Sequence, residues 1–353
     1  MQITTKRADI LKPKISDDKL SFGTVFTDHM FNMDYKCGSG WFNPRVEPYG
    51  PILLSPAALV FHYAQEVFEG LKVFRTADGS INFFRVRDNI KRFNTSCKGV
   101  CIPEIDEELF FSALKELVTL DKDWIPSAPG TALYVRPVAI ATEAAIGVRP
   151  SAEYRFFIIL CPVGAYYASG FTPIKILVAT EHVRAVKGGV GDKKAGANYA
   201  GALFATEYAK NHGYAQVLWL DAIERKHIEE VGVMNIFFVI DDEIITPELS
   251  GSILPGITRD SVIYLAKKSG MKVTERKISI DEIIQMAKEK RLQEVFGTGT
   301  AAVISSVNAI GYNGVDIKIG NGEIGPVTKK FYDTLMDIQY GRVADPANWI
   351  TKV

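Results

Sequence analysis

Two runs of apolar, strand-forming residues, EYRFFIILCPV at 153–163 and IKILVAT at 174–180, flank a stretch that continues neither of them. That stretch, AYYASGFTP, carries Gly170 and Pro173, and both residue types interrupt regular backbone pairing. The break predicts a smaller N-terminal domain over 1–167, a linker over 168–178 and a larger C-terminal domain over 179–353. Strands and helices alternate in both halves, without the strict cadence of a Rossmann sheet. The expected class is therefore α/β in its mixed, α+β sense, built as two α/β domains.

Local signals fill in the frame. LKVFRT and INFFRV, separated by Ala77-Asp78-Gly79-Ser80, predict a β-hairpin. Asp88 is expected to open a helix, and Leu109, Phe110, Leu114 and Leu117 mark a second one by their spacing. TALYVRPVAIAT and EYRFFIILCPV read as buried strands. Beyond the linker come a glycine-rich loop (KGGVGDKKAG), a helix stopping at Gly213, the strand QVLWLD and the hairpin-like NIFFVIDDEIITP. Two more helices, the strand EVFGTG and a C-terminal helix complete the order.

Charge narrows the partners. Lys+Arg and Asp+Glu both number 41, so no basic excess is available to track nucleic acid or a membrane surface. The longest greasy stretch is broken by Pro162 and Gly164 and is too short to span a bilayer. The first twenty residues lack a signal-peptide core, and Asp9, Asp17 and Asp18 do not suit a mitochondrial presequence. A cytoplasmic location is expected. Four cysteines do not make a disulfide scaffold, and with five scattered histidines no metal site is expected.

Four segments could carry chemistry. GGVGDKKAGANY fails as a P-loop because Asp192 follows Gly191, but it sets two lysines among glycines before a helix. A lysine there can serve as a Schiff-base nucleophile or simply face solvent. GTGTAA (297–302) has a G-x-G-x-x-A shape, yet a β-branched, turn-rich segment follows where a dinucleotide site needs a helix. An anion nest remains open to it. ILPGITR (253–259) suits either an anion at a helix N-terminus or an ordinary cap. Glu229 and Glu230 adjoin a strand; one turned inward could hold a protonated ring nitrogen.

Taken together, Glu230-Val-Gly-Val-Met-Asn235-Ile-Phe, Ile244-Ile-Thr246 and Leu254-Pro-Gly256-Ile-Thr-Arg259 resemble the long signature of class IV pyridoxal-phosphate aminotransferases. KKAGANY, QVLWLD, FGTGTA, YVRPV, VFTDHM, VFEGLKVF and DIQYG look like the branched-chain amino acid members, so the resemblance runs from residue 25 to about 342. It implies a fold-type IV architecture, with pyridoxal 5′-phosphate in the cleft between two domains and the Schiff-base lysine in the C-terminal one. Counting back from Tyr199, that lysine is Lys194 rather than Lys193.

The same matching implies Tyr199 on the cofactor's phenolic oxygen and Glu230 on its ring nitrogen. Arg85, Thr300 and the N–H groups of Ile257 and Thr258 would hold the phosphate. Tyr134 and the N–H groups of Thr300 and Ala301 would take the substrate carboxylate, and Arg136 the acidic side chain of glutamate. Phe68, Tyr63, Tyr166 and Val148 would line the apolar pocket, with Tyr63 and Val148 crossing the interface of a homodimer. Two departures stand out: Ala302 and Ser305 occupy the places of the animal members' Cys-x-x-Cys, and Val233 that of a threonine. The implied reaction is ping-pong transfer from leucine, isoleucine or valine to 2-oxoglutarate. D-amino-acid aminotransferases and aminodeoxychorismate lyases share the signature, while a nicotinamide-dependent oxidoreductase would rest on GTGTAA alone.

Overall fold

A computed structural model of the chain describes residues 1–164 and 171–353. The chain forms two compact units, one of Met1–Ala168, Lys193–Gly196 and Met336–Val353, the other of Ser169–Asp192 and Ala197–Leu335.

The first unit is a nine-stranded sheet. Its order is Thr4–Thr5, Gly40–Pro48, His29–Lys36, Glu153–Val163, Ala132–Ala141, Leu71–Arg75, Ile81–Phe84 and Ile350–Lys352, with Glu66–Phe68 pairing off Ala132–Ala141. Its longest ladder, Ala132–Ala141 against Glu153–Val163, is antiparallel over ten residue pairs. The predicted hairpin at 71–84 is present, with Gly79 at φ 83° in its turn. Side chains alternate across a strand, so Leu71 and Val73 enter the helix-covered core while Lys72 and Phe74 face the other way.

Two helices cover that core. One, Val86–Gly99, starts two residues ahead of Asp88, after Arg85 in the left-handed region. The other, Glu107–Leu120, is capped by the Asp106 carboxylate, which accepts from the Leu109 N–H at 2.8 Å. Between them and the sheet, Phe156 meets Phe110, Phe93 and Phe31 edge-on at 4.7, 5.4 and 5.8 Å.

The second unit is a nine-stranded sheet that closes on itself. Ile228–Val231 pairs with Gln216–Leu220 on one side and with Met234–Ile240 on the other, completing a ring through Ile174–Val178, Val303–Tyr312 and Leu292–Gly299. The helix Gly196–Asn211 presents Ala202, Ala205 and Ala209 to Val217 and Trp219; its small side chains allow that close approach. Among the described residues no helix is long and apolar enough to cross a membrane.

The expected division at 168–178 differs from these units in three ways. The strand expected from IKILVAT is present as Ile174–Val178, paired on both sides, so the linker bound at 178 runs too far into it. Lys193–Gly196 groups with the first unit, since Ala195 bridges to Val67. The C-terminal residues return to that unit as well, where Ile350–Lys352 forms an edge strand on Ile81–Phe84, making the first unit the larger. Such long-range pairings leave no local trace.

Phe156→Ala removes the ring on which three phenylalanines and Trp41 converge. We expect urea unfolding to register a loss of roughly 3–5 kcal/mol, the usual range for a buried aromatic.

Candidate active site

Lys194 is held by its backbone. Its N–H donates to Ser96 Oγ at 2.9 Å and its carbonyl accepts from the Phe68 N–H at 3.0 Å. Its Nζ lies 4.8 Å from the centroid of the Phe68 ring. The neighbouring Lys193 points elsewhere. Its aliphatic stem runs so close to Gly99 that a Cβ built there would fall 2.6–2.8 Å from Lys193 Cγ, Cδ and Cε. The glycine admits that stem, and the two adjacent lysines are sorted by it.

The Phe68 ring also supports Arg136, whose guanidinium carbon stands 4.8 Å from its centroid and 5.3 Å from that of Tyr134. Arg136 Nη2 donates to the Tyr134 hydroxyl at 3.2 Å, and Arg136 Nε is buried with no partner among the described residues. Tyr134 in turn lies over Gly70, where any Cβ would meet its hydroxyl at 1.9 Å. Behind this cluster Glu69, fully buried, pairs with both Nε and Nη2 of Arg92 at 2.8 and 2.6 Å. Lys72, paired in register with Tyr134, is buried on the same face, and burial pushes its ammonium down to about 8.

Arg85 sits at φ 51°; its N–H donates to the Trp349 carbonyl at 2.7 Å and its Nε to Asp88 at 2.7 Å. Tyr63 and Val148 lie at the surface, and the Tyr63 hydroxyl donates to the Ile146 carbonyl. Tyr166 is outside the described residues.

In the second unit, a two-residue turn at Gly232-Val233 places Glu230 opposite Asn235. Gly232 adopts φ 56° and abuts Gln216, and its carbonyl accepts the buried Trp219 indole N–H at 2.9 Å. The Glu230 carboxylate is buried. One oxygen accepts from the Leu254 N–H at 3.0 Å and Asn235 Nδ2 at 3.3 Å; the other lies 2.7 Å from Arg184 Nε. Arg184 Nη2 donates further to the carbonyls of Gly191 and Ser252. Reading the residues singly missed Arg184, because nothing local marks an arginine forty-six positions before its carboxylate. Glu229, one residue earlier on the strand, is also buried but faces the other side.

The helix Ile257–Lys268 begins after Gly256, not after a side-chain cap, so its first N–H groups meet no capping oxygen from its own N-cap. Gly256 is required there because a Cβ would meet Asn235 Oδ1 at 1.9 Å. Thr300 and Ala301 form the turn between the antiparallel strands Leu292–Gly299 and Val303–Tyr312. No helix follows GTGTAA, which excludes a dinucleotide fingerprint. Tyr199 lies in the first turn of the helix Gly196–Asn211. Val233, at the hairpin tip, is 47% exposed.

A buried, clamped carboxylate, a lysine over an aromatic ring and a helix N-terminus without a side-chain cap are the kinds of group that a phosphorylated pyridine aldehyde needs. The amino-transferase class IV family model matches residues 66–310. This chain belongs to that family. Branched-chain-amino-acid aminotransferase 2 of Bacillus subtilis (strain 168) is 55% identical over 97% of this chain and 94% of its own length. The branched-chain-amino-acid aminotransferase of Mycobacterium tuberculosis (strain ATCC 25618 / H37Rv) is 49% identical over 94% and 92%. Among solved structures, a T.th. branched-chain amino acid aminotransferase with pyridoxamine 5′-phosphate superposes with TM-score 0.74 at 28% identity, covering 90% of this chain and 97% of that one.

Two measurements follow. Lys194→Ala should abolish turnover and the visible band of bound cofactor that borohydride bleaches, whereas Lys193→Ala should keep both. For Lys72, ordinarily near 10.5, the unfolded chain binds the extra proton between pH 8 and 10.5. Stability to urea should therefore rise with pH across that window, with a slope approaching about 1.4 kcal/mol per unit. Lys72→Met should flatten it.

Proposed function

We propose that the chain is a pyridoxal-phosphate aminotransferase acting on L-leucine, L-isoleucine and L-valine, with 2-oxoglutarate as acceptor, in the cytoplasm and as a homodimer. Supporting the donor class are the relatives, which carry that name at about half identity over nearly the whole length. Supporting the cofactor are the family and the T.th. enzyme, solved with pyridoxamine 5′-phosphate. The observation that carries the reading is the Glu230 carboxylate, buried and aimed by Arg184, Asn235 and the Leu254 N–H.

When bound, the cofactor supplies an electrophilic carbon for the amino group and a ring that accepts electrons from Cα. Lys194 would hold it, and its amine would move the proton at the substrate Cα. Glu230 holds the proton on the ring nitrogen, and Arg184 keeps that carboxylate from turning away. Tyr199 donates to the phenolic oxygen. Thr300, Arg85 and the N–H groups of Ile257 and Thr258 take the phosphate; Tyr134 and the N–H groups of Thr300 and Ala301 take the substrate carboxylate. Phe68 lines the side-chain pocket, which Tyr63 and Val148 complete from the partner protomer. The exposure of Val148, Ile146 and Phe61 (82%, 72% and 62%) supports an interface at that face.

An apolar pocket cannot take a γ-carboxylate unpaired, and Arg136 is the cation that meets it, its Nε still lacking a partner among the described residues. Steady-state rates with a panel of amino donors and 2-oxoglutarate test the reading. Leucine, isoleucine and valine should lead, and D-alanine leading would overturn it. In single turnovers, Arg136→Gln should slow glutamate more than leucine by a margin of roughly 2–5 kcal/mol, the range of a buried charge pair. Equal losses would return Arg136 to a structural role.

A further inference from the structure

The strand Ile228–Val231 has two faces, and the one opposite Glu230 borders a cavity of about 210 Å³ inside the second unit. The cavity is smaller than the roughly 300–1,000 Å³ of drug-sized sites and suits a molecule of amino-acid size. Ile223, Ile228 and Ile253 give it apolar walls, and Lys187 and Lys277 stand at its exposed rim.

Glu229 lines it with only 6% of its surface exposed. One of its carboxylate oxygens accepts from Ser252 Oγ, while the other, Oε2, is buried and has no partner among the described residues. Burial pushes this carboxyl above its ordinary value, outweighing the Ser252 hydrogen bond and the pull of Arg184. An unsatisfied buried acceptor costs free energy, which a proton on the carboxyl or a donor brought to it returns. Nothing assigned to the transamination site uses this group.

We propose that this cavity is a second binding site for an apolar amino acid, its ammonium at the Glu229 carboxylate, its carboxylate toward Lys187 and Lys277 and its side chain against the isoleucines. The ammonium is essential to the fit. Glu224 and Glu248 add negative charge to the same lining, so a 2-oxo acid, which brings only a carboxylate, is disfavoured. The Ser252 that holds Glu229 also accepts from Arg184 through its carbonyl, so an occupant would sit two hydrogen bonds from the pair that clamps Glu230.

The test is calorimetric titration of L-leucine into holoenzyme reduced with borohydride, so that no turnover contributes heat. Binding should weaken roughly tenfold or more in Glu229→Gln, and equally in Ile223→Trp, which fills the cavity from its exposed rim. Melting temperatures identify a variant that does not fold, and the tryptophan variant decides if the glutamine one fails. Unchanged binding in both folded variants would overturn the site, as would no binding up to the solubility limit of leucine. Equal, Glu229-dependent binding of 4-methyl-2-oxopentanoate would overturn the ammonium pairing. Because the reaction is blocked, the titration reads the same whether or not leucine is a substrate.

Discussion

A buried ion pair organises the second unit. Glu230 and Arg184 approach to 2.7 Å with both side chains almost wholly inaccessible to solvent. Such a pair returns its desolvation cost only when the remaining lone pairs and protons are also satisfied. Part of that demand is met here: Asn235 and the Leu254 N–H donate to one carboxylate oxygen, and the Gly191 and Ser252 carbonyls accept from Arg184 Nη2. Those four partners come from three segments. The hairpin turn at Gly232, the loop at 250–254 and the glycine-rich loop near 191 are thereby fixed together, and Gly256 and Gly191 make room where a Cβ would clash.

The first unit solves a related problem with different chemistry. Two cations, Lys194 and Arg136, gather at one phenylalanine ring, which attracts them without neutralising either. The next residue along the chain, Glu69, is tied to the helix Val86–Gly99 by its buried pair with Arg92. Gly70 and Gly99 admit Tyr134 and Lys193 at distances that no side chain would tolerate. Positioning here depends on absent side chains as much as on present ones.

Alternation gives the strand Ile228–Val231 a second use. Adjacent glutamates face opposite sides, so one composition serves two environments, the clamped Glu230 and the half-satisfied Glu229. A residue-by-residue reading treats the two as equivalent candidates; their surroundings separate them.

By itself the sequence determined the element types, because turn chemistry and hydrophobic period are local: the hairpin at 71–84, the helices at 107–120 and 257–268, and the long strands at 132–141 and 153–163 were all legible. The family was legible too, since Glu230, Asn235, Gly256 and the lysine–tyrosine spacing are type-specific over many positions. Tertiary structure alone decided the rest. It laid the stem of Lys193 against Gly99 and brought in Arg184. It returned the C-terminal residues to the first sheet. Each of those outcomes depends on a partner far away in the chain, and a contact between distant residues is set by packing and desolvation that no local pattern records.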